Sequence, residues 1–220
     1  METNLVSLVE SLELPSNVIN VNVERRELSS EDNPYSLSLR RSEIADEKDL
    51  NRFIKACEGM IRHSSEYHTW TQYVKETMGH YTCAVTGEVN AQVQVEIHHH
   101  PVGLFAVVKG IINEHLVNGR EFCSFDIALK VIEMHYENRI PFIPLCSTMH
   151  QKFHNGFLNL PIELVIGDKD YFYVNYSTHL DEDEINSINS RLSINFQNCG
   201  WSQQDGYVWQ RDQYAVQANS

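Results

Sequence analysis

The chain has no apolar run approaching the ~20 residues needed to cross a bilayer, which argues against a helical membrane anchor. It has no C-x-x-C pair, and its five cysteines (Cys57, Cys83, Cys123, Cys146 and Cys199) are odd in number. That excludes a disulfide framework and a four-cysteine zinc knuckle as the organising device. The cysteines are expected to be reduced thiols, most of them buried. Cys83 and Cys146 pairing in space as a second metal site is the alternative, but with no C-x-x-C partner buried thiols are the better reading. Positive charge is scarce: 17 Lys and Arg stand against 30 Asp and Glu, a net charge of −13. A nucleic-acid enzyme usually needs a basic surface for its phosphate contacts. The start, Met1-Glu2-Thr3-Asn4, lacks the basic beginning and continuous apolar stretch of a secretory signal, so a cytoplasmic protein is expected. No internal repeat and no low-complexity stretch appears.

What is present is ordinary globular material, 42% hydrophobic over 220 residues. This length accommodates one large domain, or a core domain with elaborations. A chain of this size buries roughly 70% of its unfolded surface and needs no staples to be stable. The acidity is uneven. Residues 81–156 carry a net charge of −2, residues 1–80 carry −5 and residues 157–220 carry −6. Seven of the eleven histidines lie in the near-neutral middle. That asymmetry permits a DNA-facing centre without demonstrating one, and the acidic flanks allow for a protein partner.

The patterning predicts a sequence of elements. In residues 1–45 an apolar start, Leu5, Leu8, Val9 and Leu12, gives way to the loop signal Ser30-Glu31-Asp32-Asn33-Pro34. From Asp46 the period is helical, with Leu50, Phe53, Ile54, Cys57 and Ile61 on one face. A second helix, capped by Ser64 or Ser65, carries Tyr67, Trp70, Val74 and Met78 as core residues and stops at Gly79. A hairpin follows. Tyr81–Val85 reads as its first strand, Thr86–Asn90 as the connection, and Val93–Ile97 as an alternating second strand that delivers His98, His99 and His100 before Pro101. Two helices come next. One carries Leu104, Phe105, Val108, Ile111, Ile112 and Leu116. The other is capped by Ser124 and carries Ile127, Val131 and Met134. His115 and His135 lie within them as surface or half-buried residues. An apolar run, Ile140–Leu145, leads to Ser147-Thr148, the expected cap of a short helix through His154 that places His150 and His154 on one face. The tail reads as a strand (Leu160–Ile166), a Gly167-Asp168 turn and an aromatic strand (Tyr171–Tyr176). After it comes a helix with an Asp181/Glu184 capping box carrying Ile185, Ile188 and Leu192, and then an extended segment, Trp201–Trp209.

The chemistry lies in the histidines. Three stand at a strand end, and two more stand four apart on a helix about fifty residues later. Histidine is the commonest metal ligand and the side chain best poised to move protons near neutral pH. Imidazole suits zinc, nickel or manganese, whereas oxygen ligands favour magnesium. H-x-x-x-H is also found in metalloproteases, but the glutamate they need after the first histidine is replaced here by Gln151.

A strand ending in adjacent histidines, followed by a helix bearing H-x-x-x-H, resembles the HNH nuclease family. The resemblance runs from Cys83-Ala84-Val85-Thr86-Gly87, through Glu96-Ile97-His98-His99-His100-Pro101, to Leu145-Cys146-Ser147-Thr148-Met149-His150 and His154-Asn155-Gly156. It covers about a third of the chain, and the layout looks most like HNH proteins of bacteriophages. It implies an α+β fold: a ββα-metal core at 81–156 with a helical insertion at about 103–137 that loops out, an N-terminal helical region at 1–80 and a C-terminal α/β extension at 157–220. It implies one divalent ion (Zn, Mn, Ni or Mg) held by His98 and His150, with His154 as a further ligand or phosphate contact. It also implies His99 as general base, oriented by Asn138. The register one residue on, with His99 as ligand and His100 as base, stays open. His100, Lys152 and Arg139 are the expected nucleic-acid contacts. The implied function is metal-dependent cutting or nicking of DNA in the host cytoplasm. An RNA nuclease on the same scaffold, and a non-catalytic protein-binding module stabilised by its metal, are the alternatives.

Overall fold

The computed structural model describes residue 41 and residues 44–87, 94–202 and 205–207. The expectations for residues 1–40 and for the connection at 88–93 lie outside the described residues. The architecture is α+β, with seven α-helices and a two-stranded antiparallel sheet among the described residues.

Helix α1 (Glu47–His63) starts where Asp46 accepts from the amide of Asp49, and it buries Phe53, Ile54, Cys57 and Ile61. Ser64 then serves both sides of a tight junction. Its amide bonds Ile61 O, and its hydroxyl oxygen accepts from Tyr67 N at the start of α2 (Ser65–Glu76). Tyr67, Trp70 and Val74 of α2 are buried, as their spacing predicts.

The sheet differs from the expected hairpin. Strand β1 (Val95–His99) pairs antiparallel with β2 (Phe142–Cys146), in a register that opposes Ile97 to Pro144 and His99 to Phe142. Residues 81–87 form turns rather than a strand; Ala84 N donates to Pro144 O of β2 at 2.8 Å, while Cys83 and Val85 pack against Ile143 and Leu145. Pro144 has no N–H to return, so this edge of β2 does not extend into a ladder there. The helix-bearing strand, and not the segment nearest in sequence, is therefore the partner of the histidine strand.

The segment between the two strands does not loop out. It forms α3 (Leu104–Val117) and α4 (Ser124–Tyr136), which pack with α1 and α2 around Val107, Val108, Ile111, Ile112, Ile127, Val131 and Met134. Cys123, and not Ser124, occupies the cap position of α4, where its amide is held by the Asp126 carboxylate. Helix α5 (Ser147–His154) follows β2 without a break, with Cys146 at its cap position in place of Ser147.

The tail departs from its predicted strands. Leu160–Ile166 contributes one bridge, Ile166 to Phe142, and a short 3₁₀ turn at Ile162–Leu164. Tyr171–Tyr176 is a helix, α6, with Phe172 stacked on Tyr176 at 5.0 Å. Asp168 sets it up by accepting from the amides of Asp170 and Tyr171. The aromatics thus meet four residues apart, which is a helical spacing and not an alternating one. Helix α7 (Glu182–Leu192) carries the predicted Asp181/Glu184 capping box.

The sheet separates two cores. His99 and Phe142 face the main one, built from α1 to α4. Ile143 and Leu145 face a smaller one with Cys83, Val85, Met149, Leu158 and Leu160. Glu96 and His98, alternating with His99 along β1, lie on the side that α5 covers.

Candidate metal centre

Three histidines converge where β1 meets α5. His98 comes from the strand, and His150 and His154 from successive turns of the helix; one ring nitrogen of each lies within 4.8 Å of the others. The helical spacing of four and the strand's alternation together produce this arrangement. His150 Nδ1 donates to Glu96 Oε2 at 2.5 Å, and Ser147 donates its hydroxyl to the other Glu96 oxygen at 2.7 Å. The Glu96 bond fixes the His150 tautomer and points its Nε2 away from the carboxylate, 2.9 Å from His154 Nε2. His98 Nε2 is buried with no hydrogen-bond partner. A buried nitrogen without a partner is costly, and a cation between His98 and the hydrogen-bonded His150–His154 pair would relieve it. The donor set therefore fits a divalent ion.

Electrostatics favour the same state. Burial, then the neighbouring His150, His100 and His154, push His98 down to about 2. Burial, followed by His150, lowers His154 as well. The Ser147 hydroxyl and, beyond it, His150 hold the Glu96 carboxyl below its ordinary range. His98 and His154 are thus neutral near pH 7, the state in which imidazole ligates. The site is graded in exposure: His98 is buried, His150 half-buried and His154 exposed.

The other expected site residues are dispersed. His99 points to the main core, away from the three clustered histidines. Its Nε2 lies 2.9 Å from His135 Nε2, and its ring stacks on Trp70. His135 donates Nδ1–H to Val131 O, so its Nε2 accepts and His99 is the donor. His135, expected at or near the surface, is fully buried. Alternation along the strand is the reason for His99: its neighbours face α5, so it cannot. His100 returns to the ligand side, with its ring 6.1 Å from His98 and 5.6 Å from Phe153, and it is fully buried. Burial, then Arg191, push it down to about 4.

Asn138 does not reach the cluster. It occupies a left-handed turn (φ 55°) after α4, where its carbonyl accepts from Asp168 N; asparagine tolerates that conformation. Arg139 is engaged elsewhere, paired with Glu137 at 2.9 Å and lying over the Tyr171 ring. Lys152 sits between His150 and His154 in sequence, and therefore on the opposite side of α5, over Tyr207.

Sequence reasoning missed Glu96 and Arg191. The signal for Glu96 was available, since it stands two residues before His98 on the same strand face. Arg191, near the end of α7, donates to Pro101 O at 3.0 Å and lies beside Phe153. No carboxylate pairs with it among the described residues, and nothing local in the sequence announces its position. A separate groove of about 700 Å³, lined by Met60, Phe125, Leu129 and Ile132, lies elsewhere.

The bacteriophage G278-like virion protein family matches residues 6–208, nearly the whole chain, and the chain belongs to that family. No curated protein and no solved structure matches it. No helix among the described residues is long and apolar enough to cross a membrane.

Proposed function

We propose that this chain is a component of the phage particle that carries a single-ion HNH-type centre and hydrolyses phosphodiester bonds in DNA. The observation that carries the reading is a three-histidine set spanning a strand–strand–helix unit, with its outermost ligand, His154, exposed. Structural metal sites are closed by four protein ligands, whereas catalytic sites keep a position open. A divalent ion held there would neutralise charge at the scissile phosphate and make bound water more acidic.

The protein's own groups have distinct parts in this reading. Glu96 orients His150 and raises its basicity as a ligand. Arg191, with no carboxylate partner among the described residues, would donate to a phosphate oxygen at the edge of the site. The general base is His100 and not His99, because His100 shares the ligand side and burial keeps it neutral. The ion is zinc, manganese, nickel or magnesium, with the imidazole set favouring a transition metal.

The test couples metal content to nicking of supercoiled plasmid. The purified chain should hold one ion per molecule and nick DNA. His150→Ala should abolish both, while Glu96→Gln should weaken metal affinity by about 10–100-fold. His100→Gln should keep the ion and lose about 10²–10⁴-fold in rate. Metal uptake with no nicking would favour an ion that only fastens β1 to α5 in a protein-binding module. Cleavage of RNA but not DNA in parallel reactions would change the substrate. Unaltered metal content in the His150 variant would sink the centre itself.

A further inference from the structure

The smaller core holds two thiols side by side. Cys83 lies in the 81–87 turn and Cys146 at the junction of β2 with α5; both are buried. Both belong to the one small apolar core between the 81–87 turn and α5. The backbones are already fastened next to them by the Ala84 N to Pro144 O bond. The two sulfurs differ in environment. Burial raises the Cys83 thiol, but the Thr86 hydroxyl and the amides of Cys146, Thr86 and Val85 converge on the sulfur, outweigh burial and bring it below the usual thiol range. Burial and the adjacent Cys83 push Cys146 up. One sulfur is therefore the better nucleophile and its neighbour retains a proton, the pairing expected of an oxidisable thiol beside a resolving one. Cys57, by contrast, is pushed up to about 12 by burial in the main core and is inert.

We propose that Cys83 and Cys146 close to a disulfide under oxidation, tying the 81–87 turn to the helix that carries His150 and His154. With hydrogen peroxide as oxidant, the Cys83 thiolate attacks one peroxide oxygen, giving a sulfenic acid and hydroxide. The Cys146 sulfur then displaces that oxygen. The S–S bond forms, the Cys146 proton leaves with the oxygen as water, and the hydroxide takes up the proton that Cys83 had released. Two electrons pass from the two sulfurs to one peroxide, which ends as two waters. Peroxide is small enough to reach a sulfur in a protein interior that larger disulfides cannot enter. A particle component would meet such oxidants outside the host, where no thiol pool reverses the bond. The inference does not depend on nuclease activity.

The full-length reduced protein, treated with stoichiometric peroxide and then alkylated in denaturant, should show three reactive cysteines in place of five. Peptide mapping should recover Cys83 linked to Cys146. The oxidised protein should melt about 5–15 °C above the reduced one, because the bond closes a long loop of the unfolded chain, and reductant should reverse the rise. In Cys146→Ser the link should be absent and Cys83 should accumulate sulfenic acid, trapped by dimedone. Five alkylated thiols after oxidation, a sulfinic acid at Cys83 in the unsubstituted protein, or a bond joining any other pair would overturn the proposal. These readouts are made on the unsubstituted chain, so a misfolded variant does not obscure them.

Discussion

The consecutive histidines show how one residue type in one short run can serve opposite ends. His98 keeps a buried nitrogen without a partner on the α5 side, and His99 spends its N–H on His135 inside the core. The second pair makes a measurable demand on pH. Burial pushes His135 down to about 4, and His99, His98 and His100 are shifted the same way. In the unfolded chain these rings titrate near the usual ~6.5. The unfolded state therefore takes up protons first as pH falls, and stability that is complete above about 6.5 is lost progressively toward 4. His135 alone accounts for about 3 kcal/mol over that window. Urea unfolding of the metal-free protein should show its midpoint dropping steeply from pH 7 to 4.5, with a shallower drop in His135→Gln. A midpoint flat across this range would show that the pair is not neutral in the folded state.

Among the elements, local patterns were legible and long-range ones were not. Helix α1 follows from its own residues, because Phe53, Ile54, Cys57 and Ile61 repeat at a helical period behind an aspartate cap. The strand bearing His98 was legible by alternation, and so was the H-x-x-x-H face. The partner of that strand was not. Residues 81–87 and β2 are both short and apolar, and what decides between them is a pairing across about 45 residues that no local period encodes. The same blindness hid that His99 turns to the main core, toward His135 and Trp70, since a motif read as letters does not say which side of the strand each letter takes. The reading of Tyr171–Tyr176 as a strand failed because aromatic residues favour strands on average, while here Phe172 and Tyr176 stack one helical turn apart. That stack also explains a glycine. A Cβ on Gly110 of α3 would lie 2.8 Å from Cζ of Phe172 and 3.3 Å from Cβ of Tyr176. Phe172 is fully buried and has nowhere to turn. Gly110→Ala should thus destabilise by about 1–3 kcal/mol despite the better helix propensity of alanine. Chemical denaturation checks this, and a neutral or stabilising effect would mean that α3 and α6 are not packed so closely.

At the scale of the whole molecule, a net charge of −13 works against a polyanionic substrate, and this sets how a nuclease of this kind would have to act. Long-range attraction is absent, so contact must come from the ion and a few local cations. Near the ligands that means Arg191; Lys152 is turned to Tyr207, and Arg139 is held by Glu137 and Tyr171. Each phosphate neutralised releases condensed counterions and adds a slope of about −0.9 to the salt dependence of binding. With about two such contacts, affinity for a short duplex should fall only about tenfold between 50 and 200 mM salt. The absolute affinity should be low. Fluorescence anisotropy with a labelled duplex, at fixed metal concentration, measures both. Arg191→Ala should weaken binding and reduce the slope by about one, at every sequence alike. A loss of about 10³-fold or more over the same salt range would reveal a basic surface outside the described residues. Tight binding that ignores salt would mean that the DNA is held by contacts other than those to phosphate.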